Sequence, residues 1–500
     1  MSSDRKNSFW LSIQYSITII ISLINLKINL LNFGTQLFGV WIMLAAIWGF
    51  GAALDMGFGT AVVKYVAEFN KYDKERLNHF LSSSFTAFSF LGLAILLVGN
   101  IIAKLVYFSG GNAIEPIYLT DAKTLFYILG VAFYFQYLTL FVKSIFEGLS
   151  NFVYPSKISI VQNFILISGV SLIYIIHANI VSLALVYLFS SILIFIIYVI
   201  SLKGHYPNFR ISIKYFKVKE VKNVIGYSFS VQSITIFSAL IDPVVKFIIG
   251  SFYKVDFVSI YEIAKRFSIA ISSLFFVTFR TILPKASILK TKKEIKEFIL
   301  NDVSKFTKIG IAYSGFFFGI CSLFITLFIK YWFGFDAAIL IFLILALPES
   351  INNFGYSNYV TLLGLGYAIF LAFLQLINLV IVVMTISLAF IFFKSELGFL
   401  GYFFSVGIVN VLIIWFINKK FDVKTDEFLR LVNVHKIIIH CLILFIAIML
   451  IYLNYFKYYL VLSVLSLISA IIFYKDLKTY SRIFIDLFNN KLINKQKIIN

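Results

Sequence analysis

The stretch QLFGVWIMLAAIWGFGAALDMGFGTAVVKYVAEF, residues 36–69, decides the fold class of this 500-residue chain. Its first part, 37–56, is apolar and long enough to cross a bilayer, which takes about 20 residues of helix. Asp55 then lies among four glycines, at positions 49, 51, 57 and 59. Glycine costs helix stability unless backbones must approach or flex. The stretch therefore predicts either an ordinary membrane helix with a polar end or a moving helix that lines a cavity.

The composition of the whole chain extends this prediction to an all-α polytopic membrane protein. Hydrophobic residues make up 61% of the sequence and charged residues 13%, whereas soluble domains carry about 25% charged residues. Cys321 and Cys441 both lie in apolar runs, so neither a disulfide framework nor a metal cluster is indicated. No GxxxxGK[ST] stretch for ATP is found and no cofactor is expected. The N-terminus lacks a small-residue cleavage site, so we expect the first apolar run to be retained.

Fourteen apolar runs are long enough to span a membrane. Six lie within 10–201, six within 225–418 and two within 434–474. The predicted domains are an N-terminal six-helix lobe (1–202), a basic inter-lobe linker (203–222), a C-terminal six-helix lobe (223–418), two additional transmembrane helices (419–474) and a cytoplasmic basic amphipathic tail (475–500).

The distribution of basic residues supports this count and sets the topology. The connections on the N-terminal side of the membrane hold 31 of the 43 Lys and Arg residues, and those on the opposite side hold six. Because basic loops stay in the cytoplasm, both termini are predicted to be cytoplasmic. The net charge of +20 then faces anionic lipid headgroups and does not indicate a nucleic-acid partner.

An internal repeat relates the two six-helix sets. At a shift of roughly 216 to 219 residues, Lys27 falls on Lys246, and the loop 73–81 falls on 292–300. Because this shift covers an even number of helices, the halves share one orientation. The sequence therefore predicts two parallel six-helix repeats, with a substrate path and central cavity between them, as in many transporters.

Short motifs in both halves resemble those of a known family. LFGVW (37–41) is followed by LDMGFGTAVVKYVAEF (54–69) and a short charged turn, and the second half carries DFVSIYEIAKRF (256–267). With its fourteen predicted spans, the chain resembles the O-antigen and polysaccharide flippases of the multidrug/oligosaccharidyl-lipid/polysaccharide (MOP) exporter superfamily. Lipid II flippases and MATE drug exporters are relatives of that family.

The resemblance implies a flippase of the cytoplasmic (inner) membrane and not an enzyme. Such a protein turns a polyprenyl-diphosphate-linked oligosaccharide from the inner to the outer leaflet by alternating access, for cell-surface polysaccharide such as the O-antigen of lipopolysaccharide. The partners implied are the lipid-linked oligosaccharide, membrane lipids and other polysaccharide-assembly membrane proteins.

Six cations lie inside predicted spans, where a charge costs roughly 2.5 to 3.5 kcal/mol on insertion scales. Asp242 and Lys246 are spaced i, i+4 in acid-then-base order, as are Glu262 and Arg266. This spacing favours local neutralisation. The alternative is a cavity that offers cations to an anionic diphosphate, and both can hold together. The six cations are Lys27, Lys143, Lys246, Lys265, Arg266 and Arg280.

Depth and chemistry rank the expected contacts of the diphosphate. Arg266 lies about 13 Å into its helix at 1.5 Å per residue, and its planar guanidinium suits phosphate oxygens. Lys246 and Lys27 come next, with snorkelling to the outer headgroups as the alternative. Pro348 is expected to break the tenth helix beside Glu349. The predicted cavity residues are Arg266, Lys246, Lys27, Glu262, Asp242 and Glu349.

Asp55 and Arg280 lie near the inner ends of the second and eighth predicted helices, at roughly equivalent positions of the repeat. We expect them either to pair across the lobes as a cytoplasmic gate or to face the inner headgroups separately. With a gate, the glycines around Asp55 are hinges. No catalytic residue and no metal ligand is predicted.

Two other functions stay open. A cation-coupled MATE-like exporter of small molecules should favour acids in its cavity, whereas six cations here meet five acids within the spans. A membrane glycosyltransferase or sugar polymerase is disfavoured, because the longest outer connection, near 104–121, offers only Glu115 and Asp121 as catalytic acids.

Overall fold

The computed structural model describes residues 3–53, 58–72, 74–109, 114–207, 215–279, 282–287, 289–393, 395–453, 461–469 and 471–474. These residues form helices, turns and connections, and no strand occurs among them. The prediction of an all-α protein is confirmed.

Sixteen α-helices carry the described part of the chain. They are α1 (Ser3–Ala53), α2 (Phe58–Tyr72), α3 (Lys74–Ala103), α4 (Leu119–Gly148), α5 (Val153–Ile175), α6 (Ile180–His205), α7 (Val218–Phe252), α8 (Asp256–Phe279), α9 (Ile282–Ser287), α10 (Lys292–Phe298), α11 (Ser304–Phe328), α12 (Asp336–Gly364), α13 (Ala368–Phe393), α14 (Gly401–Phe421), α15 (Thr425–Leu431) and α16 (Val434–Tyr452). Residues 461–469 and 471–474 are also helical.

Eleven helical stretches in the described part of the chain are long and apolar enough to cross a membrane. This confirms a multi-pass membrane protein. One of the eleven, Ile13–Gly51 in α1, covers the first two predicted spans, and the 24-residue α8 coincides with the eighth predicted span without being among the eleven. The count of fourteen spans and the internal repeat stay predictions.

The 51-residue helix α1 consists of two segments that meet at Gly34. A straight helix of this length would measure about 75 Å, more than twice a hydrocarbon core of about 30 Å. Gly34 has a φ of 68° and a ψ of 176°. Glycine reaches this backbone conformation at little cost because it has no Cβ.

Contacts with α4 and α5 show that the chain reverses at Gly34. Before it, α1 lies beside α5, since Lys157 covers the Trp10 ring at 4.9 Å and Asn163 donates a hydrogen bond to Thr18 at 2.8 Å. After it, α1 lies beside α4, since the Tyr118 hydroxyl just before α4 donates to Gln36 at 3.3 Å and Trp48 stacks on Phe126 with the ring centroids 4.6 Å apart. Both segments run parallel to the helix that they contact.

Helices α4 and α5 themselves run in opposite directions. Gln136 donates to Ser191 at 3.0 Å, and the Phe146 and Tyr198 rings are 6.2 Å apart, so α4 and α6 are parallel. The Tyr198 hydroxyl donates to the Pro155 carbonyl at 3.3 Å, and a Cβ at Gly169 would lie 2.5 Å from the Val186 side chain, so α5 and α6 are antiparallel. The two segments of α1 are therefore antiparallel, as two consecutive membrane spans must be.

The second segment of α1 also packs closely on the turn between α7 and α8. A Cβ at Gly39 would lie 2.3 Å from the Val255 carbonyl oxygen, so only glycine allows this approach. The Ser259 hydroxyl donates to the Thr35 carbonyl at 2.7 Å. These contacts belong to the first of two compact units, Met1–Ser259 and Ile260–Asn500.

In the second unit, α12 is the central helix, with every residue from Ala338 to Pro348 buried. Its polar side chains hydrogen-bond to α11 and α16. Asn353 donates to Ser314 at 3.0 Å, and Ser350 contacts the His440 ring nitrogen at 3.0 Å. Tertiary packing therefore accounts for the polar residues of this otherwise apolar helix.

One sequence prediction about this unit is wrong. Pro348 does not break the tenth predicted helix, because α12 runs without interruption from Asp336 to Gly364. Burial of the residues on both sides of Pro348 holds the helix together where its missing N–H removes one backbone hydrogen bond.

Several other predictions lie wholly or partly outside the described residues. Residues 54–57, which would join α1 to α2, belong to this group, as does the tail 475–500. Within the predicted linker 203–222, residues 208–214 are not described, and α7 already begins at Val218. The predicted domain boundaries stay predictions.

Two glycines of α1 provide a matched test of this packing. Gly39→Ala places a methyl group against the Val255 carbonyl, whereas nothing lies within 4 Å of a Cβ at Gly49. We expect Gly39→Ala to lower the melting temperature of the detergent-purified protein. Gly49→Ala should leave it unchanged or raise it, because alanine in a helix is favoured over glycine by about 0.5 to 1 kcal/mol. Equal melting temperatures of the two variants would contradict the close approach.

Candidate functional site

The predicted pair on α7 forms in the structure. The Lys246 ammonium lies 2.7 Å from the Asp242 carboxylate, one helical turn earlier. The Lys246 side chain is 8% exposed and that of Asp242 is 32% exposed. Because the ammonium is buried and paired, α7 offers a ligand mainly the carboxylate side of this pair.

The predicted pair on α8 also forms, with the opposite exposure. The Arg266 Nε donates to the Glu262 carboxylate at 2.8 Å. Here the cation is the more exposed partner, because the Arg266 side chain is 35% exposed and the Glu262 side chain 14%. Ile269 follows on the same helical face and is 46% exposed. This face of α8 is therefore accessible and presents a guanidinium about halfway along a predicted span.

Glu349 of α12 joins the same region of the second unit. Its carboxylate accepts a hydrogen bond from the Ser272 hydroxyl of α8 at 2.8 Å. The Asn352 side chain also hydrogen-bonds this carboxylate, and the Lys265 charge acts on it. Lys265 itself lies 5.4 Å from the centre of the Tyr261 ring. One cation of α8, Lys265, therefore lies close enough to the Glu349 carboxylate to act on it, and its chain neighbour Arg266 pairs with Glu262.

We call this group the α8 charge cluster: Glu262, Lys265, Arg266, Ser272 and Glu349. It contains two cations and two acids of two predicted spans, with a near-zero net charge. An anionic ligand that pairs with the cations would compete with the two carboxylates, whose charges would then need another partner or a proton. Arg266 suits this exchange because its fork of N–H donors matches two phosphate oxygens at once.

Lys27 does not join another charged residue among those that the structure describes. It lies on the same face of α1 as Ile20 and Leu31, which are both exposed. The opposite face carries the buried Asn25 and Asn29, whose amide oxygens have no hydrogen-bond partner in the described structure. The two interpretations of Lys27, a contact of the substrate and a snorkelling residue, both stay predictions.

The predicted gate residues Asp55 and Arg280 lie outside the described residues. Lys143, another cation of a predicted span, has a partner, since its ammonium lies 3.8 Å from the Glu147 carboxylate. Among the described residues, no group of three His, Cys, Asp or Glu side chains could hold a metal ion.

Sequence reasoning missed two residues that hydrogen-bond Glu349, namely Asn352 and Ser272. Asn352 could have been found, because it lies three residues after Glu349 and hence on the same helical face. Ser272 gave no signal, because serine is common on membrane helices and its contact with Glu349 spans 77 residues of sequence. Lys265 was recognised as an intramembrane cation, but its proximity to Glu349 depends on how α8 packs on α12.

A family model described as "Polysaccharide biosynthesis protein" matches residues 5–290 of the chain. A comparison with curated protein sequences finds no match.

Solved structures of two transporter types share the fold. A structure titled "Lipid II flippase MurJ, inward closed conformation" matches with a TM-score of 0.65 at 20% identity, covering 93% of this chain and 99% of that chain. An inward-facing multidrug resistance MATE family transporter of the MOP superfamily matches with a TM-score of 0.67 at 13% identity, covering 83% and 98%. A MATE transporter of Vibrio cholerae, VcmN, matches with a TM-score of 0.55 at 12% identity, covering 84% and 97%. At these identities the likeness shows the fold alone.

The two kinds of ion pair in the structure predict different stability effects. Asp242→Asn removes the carboxylate from a buried ammonium and should destabilise the protein by about 2 kcal/mol, somewhat less than a fully buried pair would. Asp336→Asn removes the partner of Lys330, 2.6 Å away in an exposed connection, and should cost less than about 1 kcal/mol. Thermal unfolding in one detergent measures both. A larger loss for Asp336→Asn would contradict the burial of the α7 pair.

Proposed function

Because the chain belongs to the polysaccharide biosynthesis protein family of the MOP exporter superfamily, we propose that it flips a polyprenyl-diphosphate-linked oligosaccharide across the cytoplasmic membrane. The proposed direction is from the inner to the outer leaflet, by alternating access, to supply cell-surface polysaccharide such as O-antigen. Membrane lipids and other polysaccharide-assembly proteins are its proposed partners.

The α8 charge cluster is the observation that supports an anionic cargo. Arg266 and Lys265 lie within one accessible, membrane-embedded helix, where cations without a function are costly and rare. The acids Glu262 and Glu349 compensate the charges of these cations until a ligand binds. We propose that the diphosphate binds Arg266 first, with Lys265 as its second contact. Lys246, Lys27 and Asp242 remain proposed cavity residues that act after this first contact.

The membrane potential favours export of such a cargo. Moving one negative charge out of a cell that is negative inside gains about 2.3 kcal/mol per 100 mV. A diphosphate carries more than one negative charge at neutral pH, so the potential can contribute to transport. A cation-coupled MATE-like exporter is the second candidate, and the acids of the cluster are its support. Its cargo would be cationic, and the potential would oppose its exit.

Deletion of this gene should leave lipid-linked oligosaccharide on the inner leaflet. The substrate would still be made but would not reach the enzymes on the outer face. The measurement is the protection of the oligosaccharide from a membrane-impermeant periodate or glycosidase in right-side-out spheroplasts of the deletion strain. Normal surface glycan in that strain, with no second flippase present, would contradict the proposal.

Variants of Arg266 test its contact with the diphosphate. Arg266→Ala should abolish complementation of the deletion strain, and Arg266→Lys should restore only part of it, because a lysine keeps the charge but loses the planar fork. Lys330→Ala is the matched control, because it removes a cation from an exposed ion pair. All three variants should be present in the membrane at equal levels. Full activity of Arg266→Ala would show that Arg266 does not contact the diphosphate.

A further inference from the structure

Two pairs of buried polar side chains lie between α11 and α12 of the second unit. Asn353 donates to Ser314 at 3.0 Å, and the Thr307 and Ser357 hydroxyls lie 2.6 Å apart. We call these four side chains, together with Asn358, the polar column. All five are fully or almost fully buried among apolar neighbours. Such burial is expensive unless every polar atom has a partner.

The polar column is not internally satisfied. The Asn353 amide oxygen has no hydrogen-bond partner in the described structure, and both polar atoms of the Asn358 side chain lack one. Buried amides of this kind bind water in folded proteins, each water making about three hydrogen bonds. The column therefore has the chemistry of a hydrated path and exceeds what helix packing alone requires.

The two ends of the polar column differ. At one end, Glu349 lies one turn before Asn353 on α12. At the other end, Asn358 lines a small pocket with Asn418 and Thr425, in which the Asn418 amide donates to the Thr425 hydroxyl. The cavity volume is about 10 Å³, which is the space of about one water.

The pocket lies at the end of α12 that is beside the basic segment 419–436. By the distribution of basic residues this is the inner side of the membrane. Glu349 and Asn358 are nine residues apart, about 13 Å along the helix. The column therefore covers much of the distance between the inner surface and a carboxyl group deep in the membrane.

We propose that Glu349 is a proton-binding site that exchanges with the inner aqueous phase along the polar column. A proton enters as hydronium at the Asn358 pocket and passes along hydrogen bonds through water and the hydroxyls. Each hydroxyl accepts one proton and releases another. The Glu349 carboxylate accepts the last proton and becomes neutral, which removes one negative charge from the α8 charge cluster.

This inference goes beyond the proposed function, because it concerns the protonation of the protein and does not depend on the cargo. Other titratable groups near Glu349 are Lys265 and the Glu262–Arg266 pair of α8, Tyr313 of α11, whose hydroxyl donates to the Ile271 carbonyl at 3.1 Å, and His440 of α16, which contacts the adjacent Ser350. Among these neighbours, Glu349 is the carboxyl that lies one turn before Asn353 of the polar column and hydrogen-bonds Ser272 of α8.

Carbodiimide labelling tests the proposal without any transport assay. Dicyclohexylcarbodiimide reacts with a protonated carboxyl group: the carboxyl proton moves to a carbodiimide nitrogen while the carboxyl oxygen bonds the central carbon. The O-acylisourea rearranges to a stable N-acylurea, which mass spectrometry detects on the peptide that contains Glu349. Inside-out vesicles expose the inner face to the bath, and right-side-out vesicles expose the outer face.

We expect labelling of Glu349 to rise as the bath pH falls in inside-out vesicles and to stay constant in right-side-out vesicles. The double variant Thr307→Val/Ser357→Ala should slow the response by about tenfold, the factor that one lost buried hydrogen bond carries. Should the double variant fail to fold, Asn353→Leu interrupts the same path. Ser322→Ala is the control, because Ser322 is buried on α11 but bonds only the Gly319 carbonyl.

Three results would overturn the proposal. Labelling that follows the outer pH would place the access path on the other side. If correctly folded variants of the polar column label at the wild-type rate, the column serves helix packing only. Absence of the adduct on Glu349 at every pH, with a Glu349→Gln variant as the blank, would exclude a proton-binding carboxyl. Loss of flipping with normal labelling would instead concern the proposed function alone.

Discussion

The hydrocarbon interior of the membrane offers no partner to a charge, and this constraint organises the structure. Four cations of predicted spans have a described partner, and each contacts an acid or an aromatic ring one turn away on its own helix. The pairs of α7 and α8 are of this kind. Pairing within one helix needs no tertiary contact, so each helix enters the membrane already neutralised. The pairs then differ in which partner remains accessible, and that difference separates the buried Lys246 from the accessible Arg266.

The same constraint explains the polar contacts between helices. Backbone groups are satisfied within each helix, so the side chains alone carry the specificity of packing. In the first unit, a glycine-permitted contact of Gly39 with Val255 and the reversal at Gly34 fix two segments of α1 against their neighbours. In the second unit, serine, threonine and asparagine side chains join α12 to α8, α11 and α16.

The sequence was sufficient for the class of protein and for the local ion pairs, because both depend on residues close together in the chain. Hydropathy and charge asymmetry predicted a multi-pass all-α protein, and the i, i+4 spacing predicted the pairs Asp242–Lys246 and Glu262–Arg266 correctly. The effect of Pro348 was predicted wrongly, because burial of its neighbours overrides the helix-breaking tendency of proline. The contact of Ser272 with Glu349 and the polar column could not be predicted, since they depend on how α8, α11 and α12 pack. Neither propensity nor periodicity carries that information.

We propose that this protein moves a lipid-linked diphosphate sugar, and reconstitution of the purified protein can measure that movement. Purified protein in liposomes would receive a fluorescent polyprenyl-diphosphate oligosaccharide in both leaflets, and an impermeant reductant would bleach the label on the outside. The account predicts that the protein exposes the inner pool to bleaching, that protein-free liposomes keep about half of the label protected, and that a neutral polyprenyl glycoside of the same sugar is not moved. Protection of half of the diphosphate lipid in the presence of folded protein, together with transport of a cationic dye, would contradict it.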